Sequence, residues 1–366
     1  MHTELIRIIE SGLKGQKKKV SEYTELLIKK LKKEGDEKFA NRLERTLSLN
    51  PISQRGMASL DEISSQAPLD KESRLSMLEV ENPSVVSNLI LNDSISDAIS
   101  KFVSKIKNRD KLIAAGINSN LSLLLYGPPG CGKTTIANFI AKEVGLPLVT
   151  ARIDTIVSSL LGSTSKNIRK IFEFTNTKPC VFFIDEFDAI AKARDNEHEH
   201  GELKRVINSL LQSIDQFDNI LIAATNHSEI LDSAVWRRFN TIVEVEKPKS
   251  LKFTETLIDS ITDEFKMEIK YDNKKKKLIK AFFNSTPSDI RTILTNTITN
   301  SIINNEKEIK FIEILSEIYK HENHGKVEFN ELAKYLNSNS IPQADISTHF
   351  DISLRKVKDA LTNVKN

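Results

Sequence analysis

Cysteine is almost absent from this 366-residue chain: the two present, Cys131 and Cys180, cannot build a disulfide framework, which points to a reducing compartment. Charge of one sign is lacking too. Its 53 lysines and arginines nearly cancel 50 aspartates and glutamates, leaving a formal charge of +3, so bulk electrostatics does not announce a nucleic-acid partner. No apolar run approaches the ~20 residues that cross a membrane. The first residues also lack the charged-then-apolar order of a secretory leader. These absences predict a cytoplasmic protein with no membrane partner. Hydrophobic residues, at 39%, suffice for a sizeable core, and the length corresponds to about two domains.

What is present is organised around Gly127, Pro128, Pro129, Gly130, Cys131, Gly132, Lys133 and Thr134, followed by Thr135. The run fits the phosphate-loop pattern of two glycines with four residues between them and then Lys and Thr. Its context fits as well: the apolar run Leu121 to Tyr126 predicts a buried strand, and Thr135 to Val144 places apolar residues at helical spacing up to Gly145. A chance glycine turn before a core helix would not need strand and helix both in register. Glycines let the backbone wrap a polyphosphate so that N–H groups and the positive helix end face the anion. Lys133 can then reach the β- and γ-phosphates, and the Thr134 hydroxyl can ligate magnesium.

Further runs complete a sheet. Leu148 to Ala151 predicts a strand, as does Val181 to Ile184, whose end delivers Asp185 and Glu186. Such acids at a strand tip would hold hydrated magnesium (Asp185) and polarise an attacking water (Glu186). A carboxylate pair alone is more often surface charge; its place after a phosphate loop makes it evidence for hydrolysis. Ile220 to Ala224 ends at Thr225 and Asn226, an amide able to orient water, although Asn is also a common turn former. Thr241 to Val245 is a fifth strand, following Trp236, Arg237, Arg238 and Phe239. Strands alternating with helices imply a parallel, doubly wound α/β sheet.

Both ends of the chain are helical in pattern. Leu5, Ile8, Ile9 and Leu13, and later Leu26, Leu27 and Leu31, recur at helical spacing in a lysine-rich segment that reads as an adaptor or a solvated hairpin. From Asn50 to about Pro83 the pattern weakens into a linker or loosely packed arm. After Pro248, residues up to about Tyr319 are densely helical; Lys274 to Lys277 there reads as a solvated loop or a helix start, and Ser288 and Asp289 as a helix cap. Two short helices, Gln343 to Phe350 and Ser353 to Leu361, resemble a helix-turn-helix carrying Arg355, Lys356 and Lys358, diluted by Asp345, Asp351 and Asp359. His198 and His200 sit at a spacing poor for a helix-borne metal and read as an acidic loop.

Taken together, the proline-rich phosphate loop, Phe182 to Ile190 with its Asp-Glu pair, Ala224-Thr225-Asn226 and Arg237-Arg238-Phe239 resemble the AAA+ ATPases, in particular the AAA group. The resemblance covers roughly residues 85 to 300 and implies a P-loop NTPase domain with an α-helical lid, plus helical N- and C-terminal appendages. The expected division is 1–84 N-terminal segment and linker, 85–248 nucleotide-binding domain, 249–324 lid, and 325–366 C-terminal module. By resemblance, Asn226 takes the sensor-1 place, and Arg237 and Arg238 that of arginine fingers completing a neighbour's site. A homo-oligomer, a hexamer, using ATP and magnesium is implied, acting on a protein substrate or a partner effector such as a protease or nuclease, neither of whose motifs occurs here. Binding of DNA through the C-terminal module is the alternative. The two arginines are adjacent where the family usually separates them. Leu160 stands where threading members carry a pore aromatic, with Leu161 beside it; the bland reading of both leucines is a helix end on the sheet.

Overall fold

The computed structural model describes residues 77–83, 89–117, 120–152, 161–188, 200–270 and 274–362, single positions between 5 and 68, and only the backbone of 152, 161–164 and 200–204. Leu160 and His198, and the side chains of Leu161 and His200, therefore lie outside the described residues.

A six-stranded sheet in the order β1-β3-β4-β5-β2-β6 forms the centre. Its strands are β1 (Leu78–Glu81), β2 (Ser122–Tyr126), β3 (Leu148–Arg152), β4 (Val181–Asp185), β5 (Ile220–Thr225) and β6 (Thr241–Glu244). All neighbours pair in parallel except β1, which lies antiparallel on β3 with Leu78 opposite Ala151. Side chains alternate between faces, and both faces are covered, which is why the strands read as continuous apolar runs. Leu124, Phe182, Ile184 and Leu221 pack on one face with Ile168, Phe172, Leu210 and Ile214 of α4 (Leu161–Asn176) and α5 (His200–Asp215). Leu123, Leu125, Val181, Phe183 and Ile222 pack on the other with Ile99 and Phe102 of α1 (Asp93–Lys107) and Ile136 and Ile140 of α3 (Lys133–Val144). Between α1 and β2 runs the short α2 (Arg109–Ala114).

The linker expected across Asn50 to Pro83 is corrected at two places. Ile63 is fully buried in the sheet's core, and Leu78 to Glu81 is a strand. Only Leu78 and Val80 alternate inward against Glu79 and Glu81, too short a period-two signal to stand out without its partner β3.

After β6 the chain forms α7 (Leu251–Glu264), β7 (Glu268–Lys270), α8 (Lys275–Ala281), α9 (Pro287–Ile303), β8 (Glu308–Lys310) and α10 (Phe311–Glu322). The lysine run starts a helix, as one of its two readings had it. The added feature is a two-stranded parallel ladder, β7 with β8, burying Ile269 and Ile309. The last helices, α11 (Phe329–Ser338), α12 (Gln343–His349) and α13 (Leu354–Thr362), place Leu332, Leu336, Ile346 and Val357 in one apolar cluster with Ile258, Leu294 and Ile314.

Candidate active site

The carboxyl ends of β2, β4 and β5 lie side by side, with β5 between the other two. Ligands of open parallel sheets bind at this edge, where strand order reverses. The loop after β2 is pinned at its entry: the Gly127 N–H donates to the Thr225 carbonyl at 3.3 Å, and the Val245 N–H donates to the Tyr126 carbonyl at 2.7 Å. A Cβ on Gly127 would lie 2.3 Å from the Val245 carbonyl oxygen, so only glycine fits. Gly132, at φ 94°, turns the chain left-handed directly into α3. Pro129, Gly130, Thr134 and Thr135 are exposed on the crest, whereas Cys131 is buried beneath it.

Lys133 is only 7% exposed, and its Nζ donates to the carbonyls of Gly127 and Pro128 at 2.7 and 2.8 Å. Burial lowers its pKa below the ordinary value, against a smaller opposing pull from Cys131, Asp185 and Asp188. Burial also raises the pKa of the Cys131 thiol, which favours the neutral form.

The Thr134 hydroxyl donates to Asp185 Oδ2 at 3.2 Å, and the Glu186 N–H donates to Asp185 Oδ1 at 2.9 Å. Thus the hydroxyl and carboxylate expected at the metal stand together, though they come from α3 and β4. Magnesium keeps several waters and takes one or two carboxylates plus substrate phosphates, and this donor set fits that habit. Glu186 is exposed and left-handed at φ 51°, unusual for a non-glycine residue.

The conformation of Glu186 is held from below. Phe187 and Asp188 are buried at 2% and 3% exposure, and the Phe187 N–H donates to the Ala224 carbonyl at 2.9 Å. Asp188 Oδ1 accepts from the Thr225 hydroxyl at 3.0 Å and from the Asn226 N–H at 3.3 Å. One buried carboxylate therefore ties the turn carrying Glu186 to the turn carrying half-buried Asn226. Asp188 was not singled out by the motif reading; its signal was an acid inside an otherwise apolar run from Phe187 to Ile190.

The adjacent arginines differ. Arg238 Nε bonds Asp215 at 3.2 Å, and its guanidinium also donates to the Ala234 carbonyl at 2.6 Å. Arg237 is exposed, and its side chain has no bonded partner among the described residues.

The lid reaches the loop through the start of α9. Of the expected cap residues Asp289 takes part and Ser288 does not, its place being taken by Thr286: the Thr286 hydroxyl accepts from the Asp289 N–H at 3.1 Å, while Asp289 accepts from the Thr286 N–H at 2.9 Å. A threonine before a proline with an acid three positions on completes a capping box, so the start lies two residues earlier. The Ser288 N–H is left to donate to the Gly130 carbonyl at 3.1 Å. Arg291 points away, to Glu264 at 3.0 Å.

Residues 123–247 match the family model of the ATPase family associated with various cellular activities (AAA). An uncharacterized AAA family ATPase, y4kL of Sinorhizobium fredii, is 36% identical over 228 residues, 62% of this chain and 68% of that protein. The chain belongs to the AAA family of ATPases. Other relatives share the ATPase portion. The ATP-dependent zinc metalloprotease FtsH of Lancefieldella parvula is 36% identical over 184 residues, 48% of this chain and 28% of that protein. The proteasome-activating nucleotidase of Methanococcus vannielii is 35% identical over 193 residues, 50% of this chain and 47% of that protein. The match thus spans less than half the length of these last two. As an AAA ATPase the protein is a magnesium-dependent ATP hydrolase with ATP and magnesium as its cofactors. No described helix is long and apolar enough to cross a membrane.

Proposed function

We propose that this AAA ATPase assembles as a ring, a hexamer, in which each site is completed by the next subunit, and that hydrolysis drives remodelling of a protein substrate. The observation that carries this reading is the exposed Arg237, whose side chain has no bonded partner among the described residues, beside an Arg238 held by Asp215. An always-charged fork left unpaired on the surface suits a phosphate held by another subunit.

In this reading the glycine-rich loop from Gly127 to Gly132 and the N–H groups opening α3 cradle the polyphosphate. Lys133 would exchange its loop carbonyls for the β- and γ-phosphates, and Thr134 and Asp185 would hold the magnesium. When bound, that ion neutralises charge on the phosphate oxygens. Glu186 polarises water with Asn226 orienting it; the water oxygen bonds the γ-phosphorus as the bridging oxygen leaves with ADP, and the proton the water gives up ends on the released phosphate. Arg237 of the neighbouring subunit steadies the developing charge.

A second reading, association with DNA, is supported by the exposed Arg355, Lys356 and Lys358 on α13. The exposed Asp351 and Asp359 weigh against it, and a steep loss of DNA affinity with added salt would be its mark. Control of a separate effector is a third, since one relative is named for activating a proteasome.

The ring is tested by ATPase rate against protein concentration, for the wild type and Glu186→Gln, with sizing in ATP. Specific activity rises with concentration, and Glu186→Gln is inactive and accumulates as a ring. Activity flat with concentration in a monomer overturns the shared site.

A further inference from the structure

Two aromatic contacts bracket the arginine pair. Trp236, the only tryptophan in the chain, immediately precedes Arg237, and its ring meets Tyr126 edge-on with centroids 5.2 Å apart and planes at 78°. Tyr126 is the last residue of β2, adjoining Gly127 of the phosphate loop. On the other side, Phe239 meets Phe187 at 6.0 Å and 86°. Phe187 directly follows Glu186. The turn that presents Arg237 therefore rests at one end on the root of its own subunit's phosphate loop and at the other on the residue behind the water-polarising acid.

The turn has other ties, the Arg238 carbonyl accepting from the Ser122 hydroxyl at 3.1 Å and the Arg238 side chain bonding Asp215, but neither of these reaches the phosphate loop or the Glu186 turn. Trp236 ends α6 (Ser233–Trp236), a four-residue helix capped by Asp232 through the Ala234 N–H at 3.0 Å. A helix of one turn cannot hold its direction unaided. Tyr126 is itself held, its hydroxyl donating to Glu244 Oε2 at 3.3 Å while its carbonyl accepts from the Val245 N–H. Edge-to-face pairs prefer a defined ring orientation, which an aliphatic side chain of similar bulk does not impose.

We infer that Trp236, with Phe239, is a positioning residue that makes the Arg237 turn a rigid extension of the nucleotide site in its own subunit. Displacement of the phosphate loop or of the Glu186 turn is then passed to the arginine offered to the next subunit, with no flexible segment between. This rests on the shared-site reading above.

The test uses full-length subunits mixed in pairs. Trp236→Leu keeps its own phosphate loop and Glu186 but presents a displaced arginine. Glu186→Gln cannot hydrolyse but presents a correct one. Alone, Trp236→Leu loses roughly ten- to a hundredfold in kcat with KM little changed, the scale set by small misplacements of catalytic groups, while Trp236→Phe, which keeps a ring, stays near wild type. Mixed with Glu186→Gln, Trp236→Leu regains turnover, as does Arg237→Ala in the same mixture. The inference is overturned if Trp236→Leu alone matches wild type, or if its mixture stays inactive while that of Arg237→Ala recovers, since the damage would then be to its own site. If neither mixture recovers, the shared-site reading has failed and the inference with it.

Discussion

Replacing each adjacent arginine by alanine separates support from catalysis. Arg238 contributes an ion pair to Asp215 with side-chain exposures of 28% and 51%, and a bond to the Ala234 carbonyl. A half-exposed pair contributes about 0.2–1 kcal/mol, and a charge-assisted bond to a carbonyl adds about 1 kcal/mol once solvent competition is counted. Arg238→Ala should therefore cost about 1–2 kcal/mol of stability. Each kcal/mol corresponds to about 2–4 °C in Tm for a domain of this size. The Arg237 side chain makes no bond to a described residue, so Arg237→Ala should stay within about 0.5 kcal/mol of wild type. Its kinetic effect is the reverse: an arginine finger contributes about 10³-fold or more in kcat, which is about 4 kcal/mol of transition-state stabilisation. The assay is steady-state phosphate release at saturating ATP, at a concentration that sustains the ring, paired with differential scanning calorimetry of both variants. The reasoning is refuted if Arg237→Ala keeps kcat within about threefold while Arg238→Ala abolishes it without lowering Tm.

Further outcomes follow from the same geometry. Asp188→Ala removes the acceptor for the Thr225 hydroxyl and Asn226 N–H and should cost about 1–3 kcal/mol together with most of kcat. Asp188→Asn keeps a carbonyl oxygen and should recover much of both in denaturant titrations and ATPase rates; equal damage from the two would show that charge, not acceptance, matters. Because burial lowers the pKa of Lys133, the unfolded chain binds more protons than the folded one between that lowered value and the ordinary one, 10.5. Stability without nucleotide should accordingly rise with pH across that alkaline window, and Lys133→Met should flatten the rise in urea midpoints. A rise unchanged in Lys133→Met would assign it elsewhere. Trp236 against Tyr126 should report nucleotide: ATP added to Glu186→Gln should change its emission, and an unchanged spectrum at saturation by equilibrium dialysis would disconnect the two sites.

Much of the site was legible because it is built from short contiguous signals. The phosphate loop needs glycines at fixed offsets, and the apolar runs before it and before Asp185 are strands covered on both faces, so their character survives in sequence. The strand expected just before Asn226 is present as β5. The same chain order, strand then helix, was enough to expect a parallel doubly wound sheet.

What local pattern could not carry was pairing between distant segments. Leu78–Glu81 is a strand because β3 offers it a free edge, with Leu78 opposite Ala151. Two adjacent arginines are equivalent in sequence and become different only when Asp215, on another helix, engages one of them. Asp188 reads as one more charge until it is seen buried under Thr225 and Asn226. The division of the helices after Pro248 was likewise a matter of which apolar faces meet, and Leu336, Ile346 and Val357 meet those of the lid. Sequence alone determined which residue types stand at each strand end, because each motif is contiguous, Gly127 to Thr134 in the loop and Asp185 with Glu186 after β4. The tertiary structure alone decided which charges are bound and which are free, because burial and charge partners depend on segments that meet only in the folded chain.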